Sequence, residues 1–187
     1  MPAEQGPPPV LTEEENAALT AFYGKNLIIF YSVTGNTQDL ANIIQSFTKG
    51  DLYRIDTVET YPTGEDLIPY AKKERDELRV PTLKGDPPNL ADYEYIFFGT
   101  PVWFHDIPPA TLLFLGQTDF KGKKIIPFVT AGGGPGDSIA TITANVRNGQ
   151  VLNPKLLTRY TSLAKDEIQK DVAFWLSTIM NSASTGH

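Results

Sequence analysis

The residues best suited to chemistry in this chain form a short segment rich in hydroxyl groups. Three hydroxyl side chains surround one glycine in the run Ser32, Val33, Thr34, Gly35, Asn36 and Thr37. Residues 27–31 before it have the near-continuous apolar character of a parallel strand covered on both faces. Beyond the segment, apolar residues recur with the period of a helix. The segment is therefore predicted to lie at a helix N-terminus, where free backbone N–H groups and the helix dipole bind phosphate without lysine or arginine.

Two further segments follow apolar runs that are typical of buried strands. The run at 95–99 leads into Thr100, Pro101, Val102, Trp103, Phe104 and His105, and the run at 125–129 leads into Thr130, Ala131, Gly132, Gly133 and Gly134. Loops that leave the carboxyl ends of neighbouring parallel strands share one crevice. An indole at a loop tip can stack on a flat ring, and a glycine-rich backbone can approach the polar edge of that ring.

Each segment also has a purely structural interpretation. The hydroxyl groups around Gly35 could cap an ordinary strand-to-helix turn. Trp103 could pack over the end of the sheet, and the glycines after Ala131 could form a flexible loop. His105 could be an exposed loop residue without a role in chemistry.

The three segments resemble the FMN-binding loops of the flavodoxin family. Ser32-x-Thr34-Gly35-x-Thr37 is similar to the family's phosphate-binding loop. Residues 99–103 resemble its flavin-flanking segment, and residues 130–133 resemble its pyrimidine-edge loop. The resemblance implies FMN as cofactor and a flavodoxin-like α/β fold. That fold is a three-layer sandwich with a five-stranded parallel sheet of order 2-1-3-4-5 and helices on both faces.

The chain departs from the family pattern directly after the tryptophan. The family usually continues with an aromatic residue and a glycine, whereas here Phe104 is followed by His105 and Asp106. In flavodoxins a peptide near the flavin N5 can flip on reduction, and glycine eases that flip. With His105 at this position the flip should cost more, so altered reduction potentials and weaker FMN binding are expected.

The remaining elements follow from the alternation of strand and helix patterns. Residues 1–24 are predicted to be an extension, disordered or extended up to about residue 11, with a short helix from Thr12 to Tyr23 that is either packed on the domain edge or loosely attached. Residues 25–181 are predicted to form the FMN-binding domain, and residues 182–187 a disordered tail. The segment 65–79 is predicted to form a helix, and its charged run 72–77 is interpreted as a solvated helix face. The last strand, 151–157, should be broken or kinked at Pro154.

Composition excludes several other functions. The 187 residues include no cysteine and two histidines, His105 and His187, so thiolate chemistry and a histidine metal cluster are not available. The net charge of −6 argues against nucleic acid as a partner. No apolar run approaches the length of about 18 residues that a membrane helix needs. The N-terminus lacks the pattern of a signal peptide, so a cytoplasmic location is expected, unless a leader has been removed.

Three functional hypotheses remain open. The first is a monomeric FMN-binding electron carrier, whose acidic surface docks on unidentified redox protein partners. The second is an FMN-dependent quinone or flavin reductase using NAD(P)H, in which His105 or Tyr31 assists a substrate. The third is an interaction module that has kept the fold and lost the flavin.

Overall fold

The computed structural model describes residues 10–158 and 160–185, and its centre is a parallel β-sheet. The strands are Leu27–Phe30 (β1), Asp51–Arg54 (β2), Tyr95–Pro101 (β3), Lys124–Ala131 (β4), Gln150–Val151 (β5) and Lys155–Thr158 (β6). The helices are Glu13–Tyr23 (α1), Asn36–Thr48 (α2), Leu67–Asp76 (α3), Pro109–Gln117 (α4), Ser138–Asn145 (α5) and Lys165–Ser184 (α6). Short 3-10 turns at Gly64–Asp66 and Tyr160–Ser162 precede α3 and α6.

The strand order is β2-β1-β3-β4-β5, which confirms the predicted order 2-1-3-4-5. The predicted fifth strand is present in two pieces, because β5 pairs with the start of β4 and β6 pairs with its end. Residues 152–154 lie between the two pieces. Pro154 has no N–H to donate to the ladder, which accounts for the break at the predicted place.

Helices cover both faces of the sheet and give the predicted three layers. Ile28 and Phe30 of β1 pack into a core with α1, α2 and α6, whereas Leu27 and Ile29 pack into a second core with α3, α4 and α5. Alternate residues of a strand point to opposite faces. Because both faces are covered, all four side chains are at most 3% exposed, which explains the unbroken apolar run.

Helix α1 begins at a capping box and packs into the first core. The Glu15 N–H donates to the Thr12 hydroxyl, and the Thr12 N–H donates to the Glu15 carboxylate. The Tyr23 side chain is 1% exposed, and its hydroxyl donates to the Leu176 carbonyl of α6 over 2.9 Å. The packed arrangement is therefore the one observed, rather than loose attachment.

Helix α3 differs from the prediction in length and in one buried acid. It ends at Asp76, before the expected end near Arg79, and Leu78 has a φ of 51°. The interpretation of 72–77 as a solvated face is wrong for Glu74, which is 4% exposed. The Glu74 carboxyl turns inward because it accepts a hydrogen bond of 2.6 Å from the Tyr61 hydroxyl.

The closing helix α6 buries one apolar face and continues to Ser184, so the prediction of a disordered tail is wrong for residues 182–184. Of the stretches predicted to be disordered, residues 1–9 and 186–187 lie outside the described residues. Within the described part of the chain, no helix has both the length and the apolar character needed to cross a membrane.

Candidate functional site

The three predicted loops meet at the carboxyl edge of the sheet. Parallel pairing of β1 with β3, and of β3 with β4, brings the ends of these strands side by side. The loops line one crevice of about 140 Å³. The predicted residues in its lining are Thr34, Asn36, Pro101, Val102, Trp103, Thr130, Ala131 and Gly132.

The hydroxyl-rich loop presents an uncapped helix N-terminus to this edge. Gly35 is the N-cap residue of α2, with a φ of 96° that glycine adopts far more readily than other residues. Its N–H donates to the buried Ser32 hydroxyl over 3.2 Å. Among the described residues no side chain caps α2, so the N–H groups of its first turn are available to an anionic ligand.

A buried hydrogen bond ties the first loop to the third. The hydroxyl groups of Thr37 and Thr130 lie 2.8 Å apart, and both side chains are almost fully buried. This contact fixes the spacing between the phosphate-type loop and the end of β4. Thr100 has a different role, because its buried hydroxyl pairs with the Thr111 hydroxyl of α4 at 3.1 Å. Thr100 can therefore meet a ligand in the crevice only through its backbone.

Arg54, which the sequence patterns did not single out, braces the hydroxyl-rich loop from β2. Its guanidinium donates to the Ser32 carbonyl, to the Gln38 side chain and to the Asp56 carboxylate, each over 2.9 Å. The loop itself has no basic residue, yet a positive charge lies directly against it. Arg54 is the last residue of β2, and that position at the same sheet edge is the signal that could have identified it.

The second loop is a tight two-residue turn. The Trp103 N–H donates to the Asp106 carbonyl over 2.7 Å, and the Asp106 N–H donates back over 3.1 Å. Phe104 and His105 between them have φ values of 51° and 70°. Positive φ at both central residues defines a type I′ turn, which normally uses Asn-Gly. The departure from the family pattern therefore puts a second non-glycine residue, His105, beside Phe104 in a strained left-handed backbone conformation.

The third loop holds this turn in place. The Asp137 N–H donates to the His105 carbonyl over 2.7 Å. Gly136 has a φ of 54°, and a side-chain carbon added there would overlap the His105 carbonyl group. By contrast, Gly132, Gly133 and Gly134 are exposed, and an added carbon at any of them would meet no atom within 4 Å. Gly136 is thus the position in this loop that requires glycine for steric reasons, and it is not among the predicted site residues.

Trp103 packs against two tyrosines at the end of the sheet and also lines the crevice. Its side chain is half-buried rather than exposed at a loop tip, and its ring packs edge-on against Tyr31 and Tyr61, with centroid distances of 6.0 and 5.5 Å. These contacts orient an indole that also lines the crevice. The Tyr31 hydroxyl is buried without a hydrogen-bond partner among the described residues, and burial raises the pKa of this phenol.

The connection after the last strand completes the crevice, and sequence reasoning missed it. Tyr160 and Thr161 line the crevice together with the predicted loops. Burial raises the pKa of Tyr160 to about 12, which keeps the phenol neutral at physiological pH. The signal was available, because a segment that follows a further parallel strand leaves the sheet at the same edge.

The remaining predicted residues lie around the crevice. Ser32 and Val33 line an adjacent polar cavity of about 230 Å³ that also includes Arg54. Phe104 and His105 line a larger cavity beside α3.

The chain belongs to the flavodoxin family, since the family model described as Flavodoxin matches residues 25–178. A comparison with curated proteins found no match.

Solved structures share the fold. A candidate flavoprotein from Bacteroides eggerthii is 25% identical, with a TM-score of 0.64 over 83% of this chain and 97% of that one. A flavoprotein from Lactobacillus acidophilus, solved in complex with FMN, is 20% identical, with a TM-score of 0.61 over 71% of this chain and 92% of that one. Flavodoxin 2 from Bacillus cereus is 17% identical, with a TM-score of 0.53 over 83% of this chain and 99% of that one.

Proposed function

We propose that this chain binds FMN in the crevice and carries electrons between protein partners. The observation that supports the proposal is the convergence of an uncapped helix N-terminus, Trp103 and a glycine-rich loop at one sheet edge, in a chain of the flavodoxin family. The Lactobacillus acidophilus flavoprotein was solved in complex with FMN, but at 20% identity its similarity to this chain concerns only the fold.

The residues of the crevice fit the parts of FMN. The first-turn N–H groups of α2, with the hydroxyl groups of Ser32 and Thr34, suit the phosphate. Arg54, which is paired with Asp56, holds this loop in place through the Ser32 carbonyl. The Trp103 indole suits the flat ring, and the backbone of 132–134 suits its polar edge. FMN, when bound, supplies one-electron and two-electron redox chemistry. The protein anchors and orients it.

The charge of the chain suits a protein partner. A net charge of −6 favours docking on a basic protein surface and faster encounter at low ionic strength. We extend the proposal to a monomer in the cytoplasm whose reductase and acceptor are unidentified proteins.

The decisive measurement is the absorbance spectrum of the protein after addition of excess FMN and desalting. Retained flavin absorbance, with quenched flavin fluorescence, would support the proposal. Gly35→Val should abolish retention, because a β-branched residue disfavours the positive φ that aims the N–H groups of α2. Gly64→Val is the matched control, since Gly64 also has a positive φ and open space but lies outside the three loops.

The other two hypotheses correspond to distinct results. Steady NAD(P)H oxidation by the FMN-loaded protein alone, without a reductase, would favour a quinone or flavin reductase. Protein that stays free of flavin after excess FMN, with Gly35 intact, would refute the electron carrier and favour the interaction module.

A further inference from the structure

A second cavity, of about 590 Å³, lies between the C-terminal end of α3 and the turn at Trp103–Asp106. Trp103 lines both this cavity and the crevice. The volume lies in the range of small-molecule sites. Neither the fold nor the FMN proposal uses this space.

The cavity gathers apolar side chains that the fold leaves exposed. Leu78, Val80 and Leu112 are 86%, 67% and 40% exposed, and all three line the cavity. They are three of the nine large apolar residues exposed in the described part of the chain, so apolar surface is concentrated here. An occupant that covers these side chains would remove their apolar surface from water.

The basic side chains at the cavity already have acidic partners. Arg75 lies 2.8 Å from Asp76, and Arg79 lies 2.9 Å from Glu77. The Arg75 guanidinium also lies 4.4 Å from the centre of the Phe104 ring. Because these positive charges are compensated within the protein, and Asp106 and Asp137 also line the cavity, a neutral occupant fits better than an anion.

A buried carboxyl group supplies the polar contact. Glu74 lines the cavity, is 4% exposed, and uses Oε1 to accept the Tyr61 hydrogen bond. Its Oε2 is buried without a partner among the described residues. A buried oxygen without a donor is costly, so a ligand donor that reached Oε2 from the cavity would remove that cost.

We propose that this cavity binds a neutral, mostly apolar small molecule that carries one O–H or N–H donor for Glu74. The apolar body covers Leu78, Val80 and Leu112, and the donor pairs with the free carboxylate oxygen. The site adjoins the FMN crevice at Trp103, and its occupation does not depend on flavin binding.

Calorimetric titration with 2-naphthol and 2-methoxynaphthalene tests the proposal, in mildly alkaline buffer and on protein with and without FMN. The two probes differ in one donor, so 2-naphthol should bind about tenfold more tightly. Glu74→Gln should abolish that preference, because Gln keeps an oxygen for Tyr61 and offers an N–H₂ donor in place of Oε2. Leu78→Ser should weaken both probes about fivefold, whereas Ile68→Ser, at an exposed apolar position of α3 outside the cavity, should change neither.

Four results would overturn the proposal. In the first, neither probe binds, and in the second, Glu74→Gln still prefers 2-naphthol. In the third, Leu78→Ser does not change the binding of either probe. In the fourth, FMN displaces 2-naphthol one for one. The last result would make the cavity part of the flavin site. If FMN does not bind, the titration without flavin still decides the question.

Discussion

Replacing Gly136 with alanine should strongly disturb the contact between the second and third loops, although the chemical change is small. Gly136→Ala adds one carbon at a position with a φ of 54°, directly against the His105 carbonyl group. The two loops must then separate, and the hydrogen bond from the Asp137 N–H to the His105 carbonyl lengthens or breaks.

Three contributions set the expected decrease in the free energy of unfolding. A left-handed conformation costs a non-glycine residue about 1 kcal/mol or more. Loss of the Asp137–His105 hydrogen bond costs about 1 kcal/mol, and the local overpacking costs about 1 kcal/mol more. The sum of about 3 kcal/mol corresponds to a Tm lower by about 6–12 °C in a protein of this length.

Thermal unfolding followed by circular dichroism measures this change, with Gly133→Ala as the matched control in the same loop. Gly133 has no positive φ and no atom within 4 Å of an added carbon, so the free energy of unfolding should change by less than about 0.5 kcal/mol. Equal Tm values for Gly136→Ala and Gly133→Ala would refute the contact between the second and third loops.

Three further predictions concern one residue beside the crevice and two residues that line the second cavity. Arg54→Gln should lower FMN affinity about fivefold and leave riboflavin affinity unchanged, because the guanidinium lies against the phosphate-type loop. Parallel titrations of the two flavins measure this, and equal losses would contradict it. His105→Gly should raise the Tm by a few degrees, since glycine relieves about 1 kcal/mol of backbone strain at a φ of 70°; an unchanged or lower Tm would argue against a strained turn. Burial raises the pKa of Glu74 above its ordinary value of 4.5, so the folded protein holds this proton to a higher pH than the unfolded chain, and stability falls as the pH rises through that interval. The Tm difference between Glu74→Gln and wild type should therefore shift in favour of the variant between about pH 4 and about pH 8, and a pH-independent difference would be incompatible with a raised pKa.

Local patterns in the sequence were sufficient for the central strands and helices and for the place of the crevice. The apolar run of β1 identifies a strand buried on both faces, and the change of period after Thr37 identifies the helix that follows. Alternation of strands and helices implies parallel pairing, which brings the loops after β1, β3 and β4 to one edge. The strand order itself was predicted by resemblance as much as by pattern.

Other features of the site depend on contacts between residues that are distant in the sequence. Arg54 reaches the Ser32 carbonyl, and Tyr160 closes the crevice. Glu74 lies in a charged run that looks solvated, yet Tyr61 draws it inward. In the sequence Gly136 cannot be told from its neighbouring glycines, and only the structure shows that the His105 carbonyl lies against it. Periodicity shows which side of a helix or strand is covered, but only the assembled structure determines which neighbour covers it, because that choice depends on the packing of elements across the sheet.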